Sequence, residues 1–247
     1  KPVPQKLSLQ VGHNSATFSS NGKFYVNQWS DYNTPPQITL HSGDGKQVRM
    51  LEDNRAAKEA FVAAQMPKRE IIKVRAADGI TDLNGWILKP ANFNPAKKYA
   101  VVMVQYSGPN SQQVLDRYSA DWYFALLNED ILVAAVDGRG TGARGAEFRK
   151  GTYLNLGIQE SDDQIAAARY LGSLPYVDAK RIGIWGWSYG GYNVLMSMSR
   201  GNGEIKAGVA IAPVTDWCFY DTVYTERFMR TPQQNIEGYD KGSPIAL

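Results

Sequence analysis

The sequence predicts an α/β chain led by a short all-β segment, and three observations carry that prediction. Residues 1–50 alternate short strand-like runs with turn signals. From residue 68 onward, apolar strand-like runs alternate with helix-like stretches, the pattern of a largely parallel sheet covered on both faces. Finally, Gly186-Trp187-Ser188-Tyr189-Gly190-Gly191 joins the strand-like RIGIW (181–185) to the helix-like YNVLMSMS (192–199). The 247 residues, 43% hydrophobic and 21% charged, are enough for one large core and a small appendage.

Taken in order, ATFSS, the Asn21-Gly22 step, KFYVNQW, Pro35-Pro36, QITLHS and Gly43-Asp44-Gly45 read as a hairpin and meander. About three strands of this length bury too little area to stand alone, so residues 1–50 are expected to complete a larger β structure. LEDNRAAKEAFVAAQM has helix composition, with Asp53 or Asn54 as N-cap and Pro67 as the stop, and residues 51–67 are read as a linker helix. The α/β portion then occupies 68–247. Its strand candidates are EIIKVRA, NGWILKP, YAVVMVQYSG, DILVAAVDG, RIGIWGWS and KAGVAIAPV. Helices are expected over ADWYFALLNE, IQESDDQIAAARYL, YNVLMSMSR and WCFYDTVYTERFM. In the second of these, Glu160, Asp162 and Asp163 suit the positive end of the helix dipole, and Gly172 is expected just beyond its C-terminus.

Composition removes several function classes. A net charge of +3 with interspersed signs gives no basic stripe, so nothing argues for nucleic acid. The single cysteine, Cys218, excludes an internal disulfide framework and a cysteine zinc site, and is expected as a small buried hydrophobe. No run reaches the roughly 18 apolar residues of a membrane span, and the segment from Lys1 lacks the apolar stretch of a signal peptide. The reading calls for neither cofactor nor metal.

The chemistry centres on Ser188. G-x-S-x-G between a strand and a helix is a nucleophile elbow: the tight turn pushes the serine hydroxyl out of the sheet, and the glycines let backbone segments approach. One oxyanion donor is then the Tyr189 N–H, and the second is expected from the loop Tyr106-Ser107-Gly108-Pro109. Pro109 has no N–H, which leaves the Tyr106 hydroxyl as a candidate donor or as a plain cap on the strand end. Arg139, in Asp137-Gly138-Arg139-Gly140, reads either as a substrate contact or as a structural arginine bonded to loop carbonyls, the second being favoured. Trp217, Tyr220 and Tyr224 fall at i, i+3 and i+7, an aromatic stripe suited to core or to a substrate pocket. Asp216, Asp221 and Asp240 follow the serine as candidate acids. Both histidines, His13 and His41, precede it, although this architecture carries its triad in the order serine, acid, histidine. Either the general base lies beyond Leu247 or the chain is a non-catalytic, hydrolase-like binding protein; the strand count favours the first. The fold expected is a truncated α/β-hydrolase.

RMLEDN (49–54), QMP (65–67), YSGPNSQ (106–112), DGRGTG (137–142), WGWSYGGY (185–192), APVTDW (212–217) and YDTVYTERFM (220–229) together resemble the dipeptidyl peptidase IV family, within the prolyl oligopeptidase group of serine peptidases. The likeness covers essentially the whole chain. It implies an N-terminal β-propeller, of which residues 1–50 would be the last part, and a C-terminal α/β-hydrolase domain. It also implies release of N-terminal dipeptides with Pro or Ala second. Ser188 then resembles the family's nucleophile, Tyr189 its backbone oxyanion donor and Tyr106 its side-chain donor. Val214, Trp217, Tyr220 and Tyr224, with the Tyr189 ring, resemble the pocket for the proline ring, a rigid apolar group that flat aromatic walls suit. The family's acid and histidine would lie after Leu247 and its amine-binding glutamates before Lys1, so the chain is expected to be a fragment, inactive by itself. Homodimerisation of the full-length protein and an extracytoplasmic, periplasmic or secreted location are further implications of the likeness. Acylaminoacyl peptidase or carboxylesterase relatives are the alternatives within the group.

Overall fold

The computed structural model describes residues 3–247, so Lys1 and Pro2 of the expected β segment lie outside the described residues. The chain forms two compact units: residues up to Arg69 together with Leu115–Trp122, and Glu70–Val114 together with Tyr123–Leu247. The first unit thus takes in Leu115–Trp122, a stretch that the sequence pattern places in the α/β portion.

In the first unit, β1 (His13–Phe18), β2 (Phe24–Asp31), β3 (Thr34–Ser42) and β4 (Gln47–Glu52) make a four-stranded antiparallel meander in the order β1-β2-β3-β4, the form of one propeller blade. Its tight turns use the signals in the sequence, with Gly22 at φ 66° and Gly45 at φ 97°. Tyr25 and Trp29 are buried; the Tyr25 ring stacks on His41 at 4.8 Å, and the Trp29 ring N–H donates to the Val11 carbonyl at 2.8 Å. Helix α1 (Arg55–Ala63) follows, and of the two expected caps it is Asp53 whose Oδ1 accepts from Arg55 N, at 2.9 Å. Asn54 sits at the cap position but in the left-handed region, φ 48°, and its amide instead donates to the Pro36 carbonyl. Leu115–Trp122 is tied into this unit by Asp116 Oδ1 accepting from Tyr32 N (2.9 Å) and by Ser119 accepting from the Arg69 guanidinium (2.7 Å to Oγ).

The second unit is built on a six-stranded sheet: β5 (Arg69–Arg75), β6 (Asp82–Leu88), β7 (Tyr99–Val104), β8 (Ile131–Asp137), β9 (Val177–Trp187) and β10 (Ala207–Ile211), in the order β10-β9-β7-β8-β6-β5. The last four in sequence run parallel, while β6 pairs antiparallel with β8. Helices are α2 (Ala146–Lys150), α3 (Ile158–Ser173), α4 (Tyr189–Arg200), α5 (Thr222–Met229) and α6 (Ile236–Lys241). Alternation along the strands divides the core. Val101, Met103, Leu132, Ala134, Ile182 and Ile184 pack with Ala167, Ala168 and Leu171 of α3 and Val194 of α4. On the opposite face Val133, Ala135 and Trp86 are buried, with the Trp86 and Tyr123 rings 5.7 Å apart.

Several local expectations are corrected. ADWYFALLNE is a 3-10 helix over Trp122–Glu129. WCFYDTVYTERFM is broken in two, a 3-10 turn over Trp217–Phe219 and then α5. Two competing N-caps cause the break: Asp216 accepts from Cys218 N at 2.7 Å, and Asp221 accepts from Tyr224 N at 2.9 Å. Gly172 lies inside α3, where a Cβ would meet Ala179 Cβ at 3.2 Å and Ile182 Cδ1 at 3.3 Å, so it serves helix-to-strand packing rather than termination. Cys218 is exposed and not the small buried hydrophobe expected, because the 3-10 turn that holds it turns Trp217 inward and leaves Cys218 and Phe219 facing outward. Among the described residues no helix is long and apolar enough to cross a membrane.

Candidate active site

Strand β9 delivers Ser188 and helix α4 starts at Tyr189. Ser188 sits at φ 57°, ψ −118°, a conformation that costs a non-glycine residue about 1–3 kcal/mol and persists only when its surroundings over-determine it. They do so here through backbone: Ser188 N donates to Ile211 O at 2.9 Å, and Tyr192 N donates to Ser188 O at 2.9 Å. The glycines are required by close approach. A Cβ on Gly186 would lie 2.3 Å from Gly190 O, one on Gly190 would lie 2.6 Å from Gln105 O, and one on Gly191 would lie 2.8 Å from Ile211 O.

The Tyr106 loop leaves β7 beside this turn and is held by buried polar groups. Gln105 Nε2 donates to Gly190 O (2.8 Å), while its Oε1 accepts from Ser107 Oγ (2.9 Å) and Asn193 Nδ2 (3.1 Å). Gln164 Nε2 of α3 donates to Ser107 Oγ (3.1 Å) and to Val136 O (2.9 Å). At the far end of the loop Asp137 accepts from Gln113 N (2.9 Å) and Val114 N (2.8 Å). Ser107 takes φ 62°, which turns the chain sharply after Tyr106. Nothing in spacing or composition singles out Gln105 or Asn193.

All seven residues nominated from sequence come together. The Tyr106 and Tyr189 rings are 6.0 Å apart, Tyr189 lies 5.6 Å from Trp217, and Trp217 stacks on Tyr224 at 5.9 Å with its edge toward Tyr220 at 6.0 Å. Val214 packs against the same cluster, whose buried members include Tyr192, Met196 and Met229. The choice between core stripe and pocket dissolves: Trp217 is 1% and Tyr189 2% exposed, whereas Tyr220 is 44% exposed, so the cluster is core at its base and open at its rim. Beside it a cavity of about 670 Å³ is lined by Pro109, Asn110, Tyr153, Tyr224, Phe228 and the cations Arg149, Lys150 and Arg227.

Buried carboxyls surround the site. Glu160 is fully buried, accepts from the Tyr189 hydroxyl at 2.7 Å through Oε1 and from Gly157 N at 3.1 Å through Oε2. Burial pushes its pKa up to about 7 against the hydrogen bond from Tyr189, and burial likewise raises Asp137 to about 6 against its two backbone donors. Burial, followed by the Glu160 charge, holds the Tyr189 phenol well above its ordinary value. Asp163 is also buried and pairs with Arg139 at 2.8 Å, while Arg139 reaches Asp78 at 3.0 Å. Arg139 is therefore structural, but its partners are carboxylates and not the loop carbonyls expected. A signal for these residues was present in α3: stepping back from Leu171, Ala168 and Ala167 by helical spacing lands on Gln164, Asp163 and Glu160, which places them on the buried face.

Both raised carboxyls contribute stability that is full below the ordinary carboxylate range and is lost as pH rises through about 6 to 7. Glu160→Gln removes one of them and mimics the protonated form. Its unfolding free energy relative to the unaltered protein is expected to rise by on the order of 3 kcal/mol between pH 4.5 and pH 8. Urea titrations at several pH values measure this, and parallel curves for the two proteins would contradict it.

Two of the three candidate acids are engaged structurally, while Asp240 is exposed near the end of α6. Besides capping the 3-10 turn, Asp216 accepts from Ser243 Oγ at 3.1 Å, and Asp221 caps α5. His41 has both ring nitrogens engaged within its own sheet, Nε2 with Thr39 Oγ1 (2.8 Å) and Nδ1 with Gly45 O (3.1 Å). His13 is a β1 residue paired with Ser30. Among the described residues no group of three or more His, Cys, Asp and Glu side chains is arranged to hold a metal ion.

Comparison with known proteins gives a consistent picture. The model of the prolyl oligopeptidase family matches residues 118–246. A probable dipeptidyl-aminopeptidase B of Pyrenophora tritici-repentis is 41% identical over 236 residues, which are 94% of this chain and 27% of that protein. Prolyl endopeptidase FAP of Bos taurus is 37% identical over 238 residues, 94% of this chain and 31% of that protein. Among solved structures, dipeptidyl peptidase 4 of Porphyromonas gingivalis superposes with a TM-score of 0.94 at 56% identity, covering 98% of this chain and 34% of that one. The chain spans from 27% to 34% of the length of these proteins. With the elbow, the Tyr106 loop and a matching family model over more than half its length, the chain belongs to the prolyl oligopeptidase family of serine peptidases.

Proposed function

We propose that Ser188 is the nucleophile of a peptidase that, in the full-length protein, releases N-terminal dipeptides with Pro or Ala at the second position. The observation that carries this reading is the strained backbone of Ser188, φ 57° and ψ −118°, at the join of β9 and α4. Ser188 Oγ attacks the scissile carbonyl, and its proton passes to a base. The carbonyl oxygen becomes an oxyanion facing the Tyr189 N–H and the Tyr106 hydroxyl, each such donor supplying about 3–4 kcal/mol of transition-state stabilisation. Collapse expels the amine and leaves the dipeptidyl ester on Ser188, which water then hydrolyses. The penultimate side chain lies against Val214, Trp217, Tyr220, Tyr224 and the Tyr189 ring. Flat rings suit a rigid apolar pyrrolidine, whose burial against them supplies the hydrophobic part of the selection.

The base comes from outside these 247 residues, since His41 is bonded within its sheet and His13 belongs to the same sheet. The full-length protein is expected to release chromophore from a Gly-Pro anilide, and the 247-residue chain alone to release almost none. Turnover by the isolated chain at a rate normal for a peptidase would overturn the assignment of the base. A second reading, cleavage within peptides after proline, is favoured by the likeness to the bovine protein named prolyl endopeptidase FAP. Cleavage of an N-terminally blocked Gly-Pro substrate separates the two.

A further inference from the structure

Tyr189 is held at both ends. Its backbone is locked into the elbow, and its hydroxyl, at the far side of a fully buried ring, donates to Glu160 Oε1 at 2.7 Å. The ring between those anchors stands 6.0 Å from Tyr106 on one side and 5.6 Å from Trp217 on another. Glu160 is itself rigid: it lies in the first turn of α3, its second oxygen accepts from Gly157 N at 3.1 Å, and it is 0% exposed.

A phenylalanine at 189 facing an apolar residue at 160 would fill the same space without desolvating a carboxyl. Packing alone, though, leaves a ring free to slide by fractions of an ångström, whereas a 2.7 Å hydrogen bond to an immobile partner does not. We propose that Glu160 is a positioning residue for substrate selection: by holding the Tyr189 hydroxyl it sets the spacing of the Tyr189 and Trp217 rings, two walls of the pocket that receives the penultimate side chain. This rests on the assignment of Ser188 and its aromatic pocket under the proposed function. The carboxyl never touches substrate and acts through the ring alone. Discrimination between side chains differing by a methylene or two is worth about 10–200-fold, so small changes in ring spacing register in it.

The test uses the full-length protein and two substrates, Gly-Pro and Gly-Ala anilides. Tyr189→Phe and Glu160→Ala are each expected to lower the ratio of kcat/KM for Pro over Ala about tenfold, chiefly through KM for the Pro substrate. The double variant is expected to lose no more than either single one, because both remove the same bond. Glu160→Gln restores the ratio to within about threefold, its amide donating to the Tyr189 oxygen while its carbonyl accepts from Gly157 N. Should Glu160→Ala fail to fold, the comparison of Tyr189→Phe with Glu160→Gln decides. Equal loss on both substrates, or additive losses in the double variant, overturns the proposal. Turnover by the unaltered protein with an unmoved ratio in every variant overturns this proposal alone; no turnover of either substrate by the unaltered protein overturns the peptidase reading together with it.

Discussion

In the proposed peptidase, replacing Ser188 by alanine in the full-length protein is expected to lower hydrolysis of a Gly-Pro anilide by about a millionfold, the scale seen when a serine peptidase loses its nucleophile. Substrate binding persists, because the aromatic pocket is untouched, so the loss falls in kcat. A second signature belongs to the elbow itself. At φ 57°, ψ −118° alanine retains the Cβ strain and glycine does not. Ser188→Gly is therefore expected to be as inactive as Ser188→Ala yet more stable than it by about 1–2 kcal/mol, read as the difference in urea midpoint times the common slope. Equal stability of the two variants would mean that the turn stores no strain. Residual turnover above a hundredth of the unaltered rate would mean that another residue attacks the substrate.

Trp217→Ala has the largest expected effect on stability, a loss of about 3–5 kcal/mol. The indole is 1% exposed and lies 5.0 Å from the Tyr192 ring, 5.6 Å from Tyr189 and 5.9 Å from Tyr224, so its removal opens a cavity that three large rings cannot collapse to fill. Trp217→Phe keeps a ring at the same place and is expected to cost less than half as much. In the proposed peptidase both changes raise KM for a Pro substrate, alanine more than phenylalanine, since the same indole faces the pocket. A cost below about 1 kcal/mol for Trp217→Ala would show that the cluster is loosely packed. Denaturant unfolding of the second unit measures it.

Much of this was legible in the chain. The parallel strands β7 to β10 are short apolar runs with clear turns between them, and the G-x-S-x-G motif identified the join of β9 and α4, because local backbone demands write themselves as glycine and serine. The boundaries between helix types were not legible. WCFYDTVYTERFM has the composition of one helix, and only the rival caps Asp216 and Asp221 split it. ADWYFALLNE likewise winds as a 3-10 helix despite strong helix formers, the tertiary packing of Tyr123 on Trp86 outweighing local propensity. Asp162 and the buried pair Glu160 and Asp163 looked alike as acids at a helix start. Their burial depends on which face of α3 meets the sheet.

The sequence by itself determined the family and the strand-to-helix elbow that carries Ser188, since these rest on residue types at fixed short spacings within each motif. Tertiary structure decided the rest. Tyr106, Tyr189, Trp217 and Glu160 are scattered over more than a hundred residues, and only the parallel order of β7 and β9 beside the packing of α3 brings them to one end of the sheet. The physical reason is burial. A carboxyl such as Glu160 is an ordinary surface charge until the fold removes its water, and then its hydrogen bond to Tyr189 fixes the buried ring beside Ser188.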